Sequence, residues 1–200
     1  MYTPKAKTKS IKRLIDLRKS PEYVAGLKQI VNQQFESIKK DFLNSFDNHP
    51  VTREIEGGIS ASNVSRTLGG YGNLFTYIGF DNNDKPIDNI RNQFSKIFIT
   101  NIVVKKDGSS IVFVSYPSPQ DIFNVTPLPW AEGRSWAEGI EKGLSGFGMY
   151  LNKEHINSRS GSGIQTPNTI RKGKFQNRSY ITKLIREFEK KIIKLNRLTF

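Results

Sequence analysis

The side chains that could carry chemistry are few and scattered. There are two histidines, His49 and His155, and no cysteine. Without thiols the chain has no disulfide scaffold, no Cys-ligated zinc and no thiol nucleophile, which fits a reducing compartment. Neither histidine has a second at metal-ligand spacing, and no HExxH or carboxylate cage is present, so both are read as structural or surface residues. Glu54 and Glu56 alternate within Val51–Glu56. On a strand they would share a face, where paired carboxylates can hold a metal or work as acid and base. Two solvent-exposed carboxylates on a strand explain the same spacing and are preferred. Ser145 lies between glycines in Gly143-Leu144-Ser145-Gly146-Phe147. A nucleophile elbow needs Gly two residues after the Ser, and that position is Phe147. Leu68-Gly69-Gly70-Tyr71-Gly72-Asn73 lacks the Gly-Lys-Ser/Thr of a phosphate loop and runs into Leu74–Phe80, which reads as strand. Its glycines are turn residues. These residues imply no enzyme and no cofactor.

The elements that would position these residues are more legible. Ser20-Pro21 is a helix start, and Val24, Leu27, Val31, Phe35, Ile38, Phe42 and Phe46 recur at three or four, giving a helix over 21–46 that stops before His49-Pro50. A second amphipathic helix covers 179–197 on Ile181, Leu184, Ile185, Phe188, Ile192 and Leu195. A shorter one is expected over 11–19. Lys96–Lys105 and Ser110–Tyr116 are rich in β-branched and aromatic residues around Asp107-Gly108, a hairpin signal. Val51–Glu56 and Leu74–Phe80 are further strand candidates. Pro117, Pro119, Pro127 and Pro129 then break the chain. The fold class is α+β, with a long N-terminal helix, a small antiparallel sheet with a β-hairpin, and a C-terminal amphipathic helix. Residues 1–19 form a basic arm, and 20–200 a single α+β domain with a flexible basic loop at about 153–174.

Charge narrows the partners. With 200 residues, 31 Lys and Arg stand against 18 Asp and Glu, a net charge of +13. A chain this basic attracts polyanions or acidic protein surfaces. The cations gather at the ends. Lys5, Lys7, Lys9, Lys12 and Arg13 lie in the arm, and Arg159, Arg171, Lys172 and Lys174 lie in a stretch, His155 to Arg186, that has no acidic residue. These are the candidate contacts with DNA phosphates or acidic neighbours. No apolar run is long enough to span a bilayer, so no membrane partner is expected. Trp-Ala-Glu-Gly occurs at both 130–133 and 136–139. Trp130, Arg134 and Trp136 could form a subunit contact, where Trp and Arg are enriched. Trp136, Ala137, Ile140 and Leu144 could equally share the buried side of a helix.

The runs HPVTREIEGG (49–58) and NVSRTLGGYGNLFTYIGF (63–80) resemble virion structural proteins of tailed bacteriophages. The order of parts is also similar to the neck and tail-completion family, of the minor tail protein Z type. The matching parts are the long helix, the 96–116 hairpin, Trp136-Ala137 through Glu141-Lys142-Gly143, the loop, and Phe175 leading into the last helix. Gln176-Asn177-Arg178 stand where that family has a proline. The resemblance implies a non-enzymatic chain forming part of a homo-oligomeric ring at the head–tail neck or tail end. Its partners would be neighbouring neck and tail proteins, with contact to packaged DNA, in the virion and, during assembly, the host cytoplasm. A sequence-nonspecific nucleic-acid-binding protein is the alternative.

Overall fold

A computed structural model describes residues 20–68, 72–105, 107, 109–129, 131–143 and 175–196. The fold is α+β, as the sequence implies. The helices are α1 (Pro21–Asp47), α2 (Pro50–Glu56), α3 (Leu74–Ile78), α4 (Pro86–Ser95), α5 (Pro119–Asn124), α6 (Trp136–Lys142) and α7 (Ile181–Leu195). The strands are β1 (Phe98–Val104), β2 (Ser110–Ser115), β3 (Pro127–Leu128) and β4 (Ala131–Ser135), paired antiparallel as β1–β2 and β3–β4. No helix among the described residues is long and apolar enough to cross a membrane.

The sequence reading places no boundary within 20–200, yet the described residues gather into two compact units. Two of the divisions fall inside α1, after Asp41, and inside α7, after Arg186. No linker composition marks a division that falls within a helix.

The first unit comprises described residues of 20–41, 97–116 and 187–196. Ser20 starts α1, its Oγ accepting from the Tyr23 N–H at 3.2 Å, with Pro21 at the first helical position where no donor is lost. Leu27, Val31 and Phe35 from α1, Ile97, Val112 from β2, and Phe188, Ile192 and Leu195 from α7 are buried. Asp107 sets the hairpin turn, accepting from the Ser109 N–H and hydroxyl at 2.9 and 2.7 Å. In the register Val104 faces Ser110 and Ile102 faces Val112, and this side carries the buried Ser110 and Val112. The Asn196 side chain closes the outer edge of β2, accepting from the Val112 N–H at 2.6 Å and donating to its carbonyl at 3.3 Å. Tyr116 sets its ring edge-on to Phe188 at 5.6 Å.

The second unit comprises described residues of 42–96, 117–143 and 175–186. Phe94 of α4 meets Phe42 and Phe46 edge-on, at 4.7 and 5.0 Å, an arrangement that adds to simple area burial. Both strands expected before residue 90 are helices instead. In α2, Val51, Thr52, Glu54 and Ile55 are buried, the face of a helix and not the alternation of a strand. In α3, Asn73 Oδ1 accepts from the Thr76 N–H at 3.0 Å and Gly79 ends the helix at φ +88°. All five α3 residues are buried, so no periodicity was there to read. Pro119, taken as a breaker, is at the first turn of α5, and Ser118 and Asp121 close a capping box there.

Candidate functional site

The two runs that carry the phage resemblance fold together in the second unit. His49-Pro50 opens α2, with His49 Nδ1 accepting from the Val51 N–H at 3.3 Å. Four residues on, Glu54 is fully buried. Its Oε2 accepts from the Ser65 N–H and its Oε1 from the Leu74 N–H, both at 2.8 Å. One carboxylate thus pins both ends of the glycine-rich stretch and satisfies a donor in the first turn of α3, where a helix leaves N–H groups without internal partners. Asn73 adds a second anchor, donating from Nδ2 to the carbonyls of Ile59 and Ala61 at 2.9 and 3.0 Å. Gly57 adds a third. A Cβ there would come within 2.9 Å of the Ala61 Cβ and 3.2 Å of the Arg53 carbonyl, too close for any side chain.

Between these anchors the loop turns side chains outward. Ile59 is 41% and Val64 47% exposed. Arg66, also exposed, sits at φ +56°, left-handed backbone that costs a non-glycine residue energy and persists only where its surroundings hold it. Both polar side-chain atoms of Asn63 are buried without a hydrogen-bond partner among the described residues. The final segment before α7 lies against the same loop: the Gln176 N–H donates to the Thr67 carbonyl at 2.9 Å. The Tyr180 ring lies tilted by 34° against His49 with centroids 4.8 Å apart, and its hydroxyl shares a 2.8 Å hydrogen bond with Thr52. Glu141 accepts from the Tyr180 and Thr182 N–H groups at 3.3 and 2.7 Å, fixing the start of α7.

This geometry corrects the expectation of two exposed carboxylates on one strand face. On helix α2, Glu54 and Glu56 are two residues apart and cannot face each other. Glu54 is spent on backbone amides. Glu56 is exposed and pairs with Arg91 at 2.5 Å, which also reaches Asp47 at 2.9 Å. Among the described residues no group of three His, Asp or Glu side chains could hold a metal ion. The arrangement suits recognition, since the anchored loop offers two aliphatic side chains, Ile59 and Val64, and one cation, Arg66. A polypeptide has apolar side chains to cover Ile59 and Val64 and carbonyl or carboxylate acceptors for Arg66. Ile59, Asn63, Val64 and Arg66 were not singled out from the sequence; the only signal was the run that contains three of them.

His49 gives this region a pH response. Burial, first, and the charge of Lys183 lower its pKa below 6.5, against a hydrogen bond to the Ser179 backbone that raises it. The unfolded chain therefore takes up a proton near 6.5 before the folded one does. The His49 contribution to stability should be complete above pH 6.5 and shrink as pH falls below it. Protonation at Nδ1 would also end its acceptance from Val51. Urea unfolding at about pH 7.5 and about pH 5.5 should show this loss, and His49→Asn, which can cap without titrating, should flatten the slope. An unchanged slope in that variant would remove His49 as the cause.

The other sequence candidates are placed as follows. Lys5, Lys7, Lys9, Lys12, Arg13, Arg159, Arg171, Lys172 and Lys174 lie outside the described residues, as do His155, the 11–19 helix, Trp130 and Ser145. Trp136 is 1% exposed and packs edge-on to Phe80 at 5.9 Å, so of its two readings the core one describes it. Arg134 is exposed on β4, beside a surface depression of about 350 Å3 that Gln120, Phe123 and Glu138 also line. No family model, curated protein or solved structure matches this chain.

Proposed function

We propose that this chain is a non-enzymatic structural protein of a tailed-phage virion, forming part of a homo-oligomeric ring at the head–tail neck or tail end. The observation that carries the proposal is the anchored loop. The sequence runs that resemble virion proteins meet there, and with Ile59 from the segment between them the loop exposes Val64 and Arg66, a surface fit for a protein neighbour. Glu54, the one buried carboxylate among the described residues, is consumed in holding the backbone. A net charge of +13 favours a second reading, sequence-nonspecific nucleic-acid binding. In the ring the same charge serves acidic neighbours and packaged DNA.

Mass spectrometry of purified particles separates the two: the ring protein should be present in the virion, and its absence would end the virion assignment. Ile59→Asp combined with Val64→Asp should leave the protomer folded, because both side chains already face water. Complementation of a phage lacking the gene should then drop at least tenfold, as charges are buried at the contact without partners. Full complementation by that variant would mean the loop meets nothing.

A further inference from the structure

In the β1–β2 hairpin, opposed residues share a face, and the face opposite Ser110 and Val112 carries Phe98, Asn101 and Val103 of β1 with Ile111, Phe113 and Ser115 of β2. Phe98 is 54%, Phe113 49% and Val103 42% exposed. Asn101 faces Phe113 and Phe98 faces Ser115, so the two rings are diagonal neighbours. A two-stranded sheet is marginal unless its faces are covered. Lone exposed apolar residues mean little, but a contiguous strip on one sheet face marks a contact.

We infer that this face is a self-association surface, packed against the same face of a second copy of the chain. The choice of occupant rests on charge; a face paired with itself is a two-fold contact, which joins two copies or two rings and does not by itself close a ring. The strip itself is uncharged; in the sequence Lys105, Lys106 and Asp107 follow only at its turn end. A polyanion or a strongly acidic protein would find almost nothing to pair with there. Two copies that each carry +13, by contrast, meet with least repulsion on a neutral face. Sheet faces also pack well on sheet faces, side chains interleaving across about 10 Å. The two half-exposed rings bring roughly 200 Å2 per copy, well below the about 800 Å2 per partner of a standard stable interface. The pairing is therefore weak in isolation and becomes firm only when repeated or supported within a larger assembly.

Sedimentation velocity on the full chain from about 10 to about 500 μM tests this. The wild type should show concentration-dependent association that strengthens between 0.1 and 1 M NaCl, as salt screens repulsion between like-charged copies. Phe98→Thr with Phe113→Thr, which keep strand propensity, should weaken association at least tenfold with the melting curve unchanged. A monomer at every concentration, association indifferent to the substitutions, or association that weakens with salt would each overturn the inference. Should the double variant unfold, the lack of native cysteine allows a second route: a short bismaleimide should cross-link Phe113→Cys into dimers and leave Ile193→Cys, equally exposed on α7, largely monomeric. Equal cross-linking of both would also overturn it. Failure here leaves the virion assignment to the particle experiment, and absence from the particle leaves this face to be judged by sedimentation.

Discussion

Glu54→Ala should destabilise the protein by about 3–5 kcal/mol. The cost comes from two buried amides, of Ser65 and Leu74, that lose their acceptor together. A hydrogen bond to a charged group contributes about 1.5–3 kcal/mol, and a buried donor left unsatisfied costs about 1–3 kcal/mol. Glu54→Gln keeps one acceptor oxygen but turns an NH2 toward the other N–H, so it should lose roughly half as much. Glu56→Ala is the control. It removes an exposed partner of Arg91, which still holds Asp47, and should cost within about 1 kcal/mol. Urea unfolding followed by tryptophan fluorescence measures all three, since Trp136 is buried in the same unit. Glu54→Ala within about 1 kcal/mol of wild type would mean that the loop is held by its other anchors and that the carboxylate is free for another purpose.

That pair of glutamates also shows where sequence legibility ended. Spacing along the chain locates side chains relative to one another, and so the long helices emerged nearly whole: 21–46 was expected against Pro21–Asp47, and 179–197 against Ile181–Leu195. The hairpin was legible for a different reason, a local turn chemistry in which Asp107 needs only Ser109 beside it. Glu54 needed partners 11 and 20 residues away. No periodicity encodes backbone amides brought up by a fold, so an anchor read as a solvated carboxylate. Val51–Glu56 read as strand because β-branched residues favour one locally, and tertiary burial of a helical face overrode that preference. Helix α4 is a different case. Ile87, Ile90 and Phe94 stand three and four apart after Pro86, and that signal was simply passed over.

Phe35→Ala and Phe188→Ala should each cost about 3–5 kcal/mol, the range for truncating a buried phenylalanine. Each is 2% exposed in the first unit, Phe35 midway along the stripe of α1 and Phe188 on that of α7. Removing either ring deletes its transfer energy and leaves a cavity, because close-packed surroundings relax only in part. Phe188→Ala has a further consequence. Tyr116 loses the ring it stands edge-on to, and its hydrogen bond to Glu189 must then be held from one side only. The contrast within α7 makes the measurement decisive. Ile193, five residues on and 50% exposed, should tolerate alanine at well under 1 kcal/mol, as surface positions do. Equilibrium unfolding of the three variants therefore distinguishes a stripe that builds the protomer from one that waits for a neighbour. If Phe35→Ala and Phe188→Ala both unfolded like Ile193→Ala, the apolar faces of the two longest helices would be subunit interfaces. The hydrophobic core of the first unit would then have to be sought in the assembly rather than in the chain.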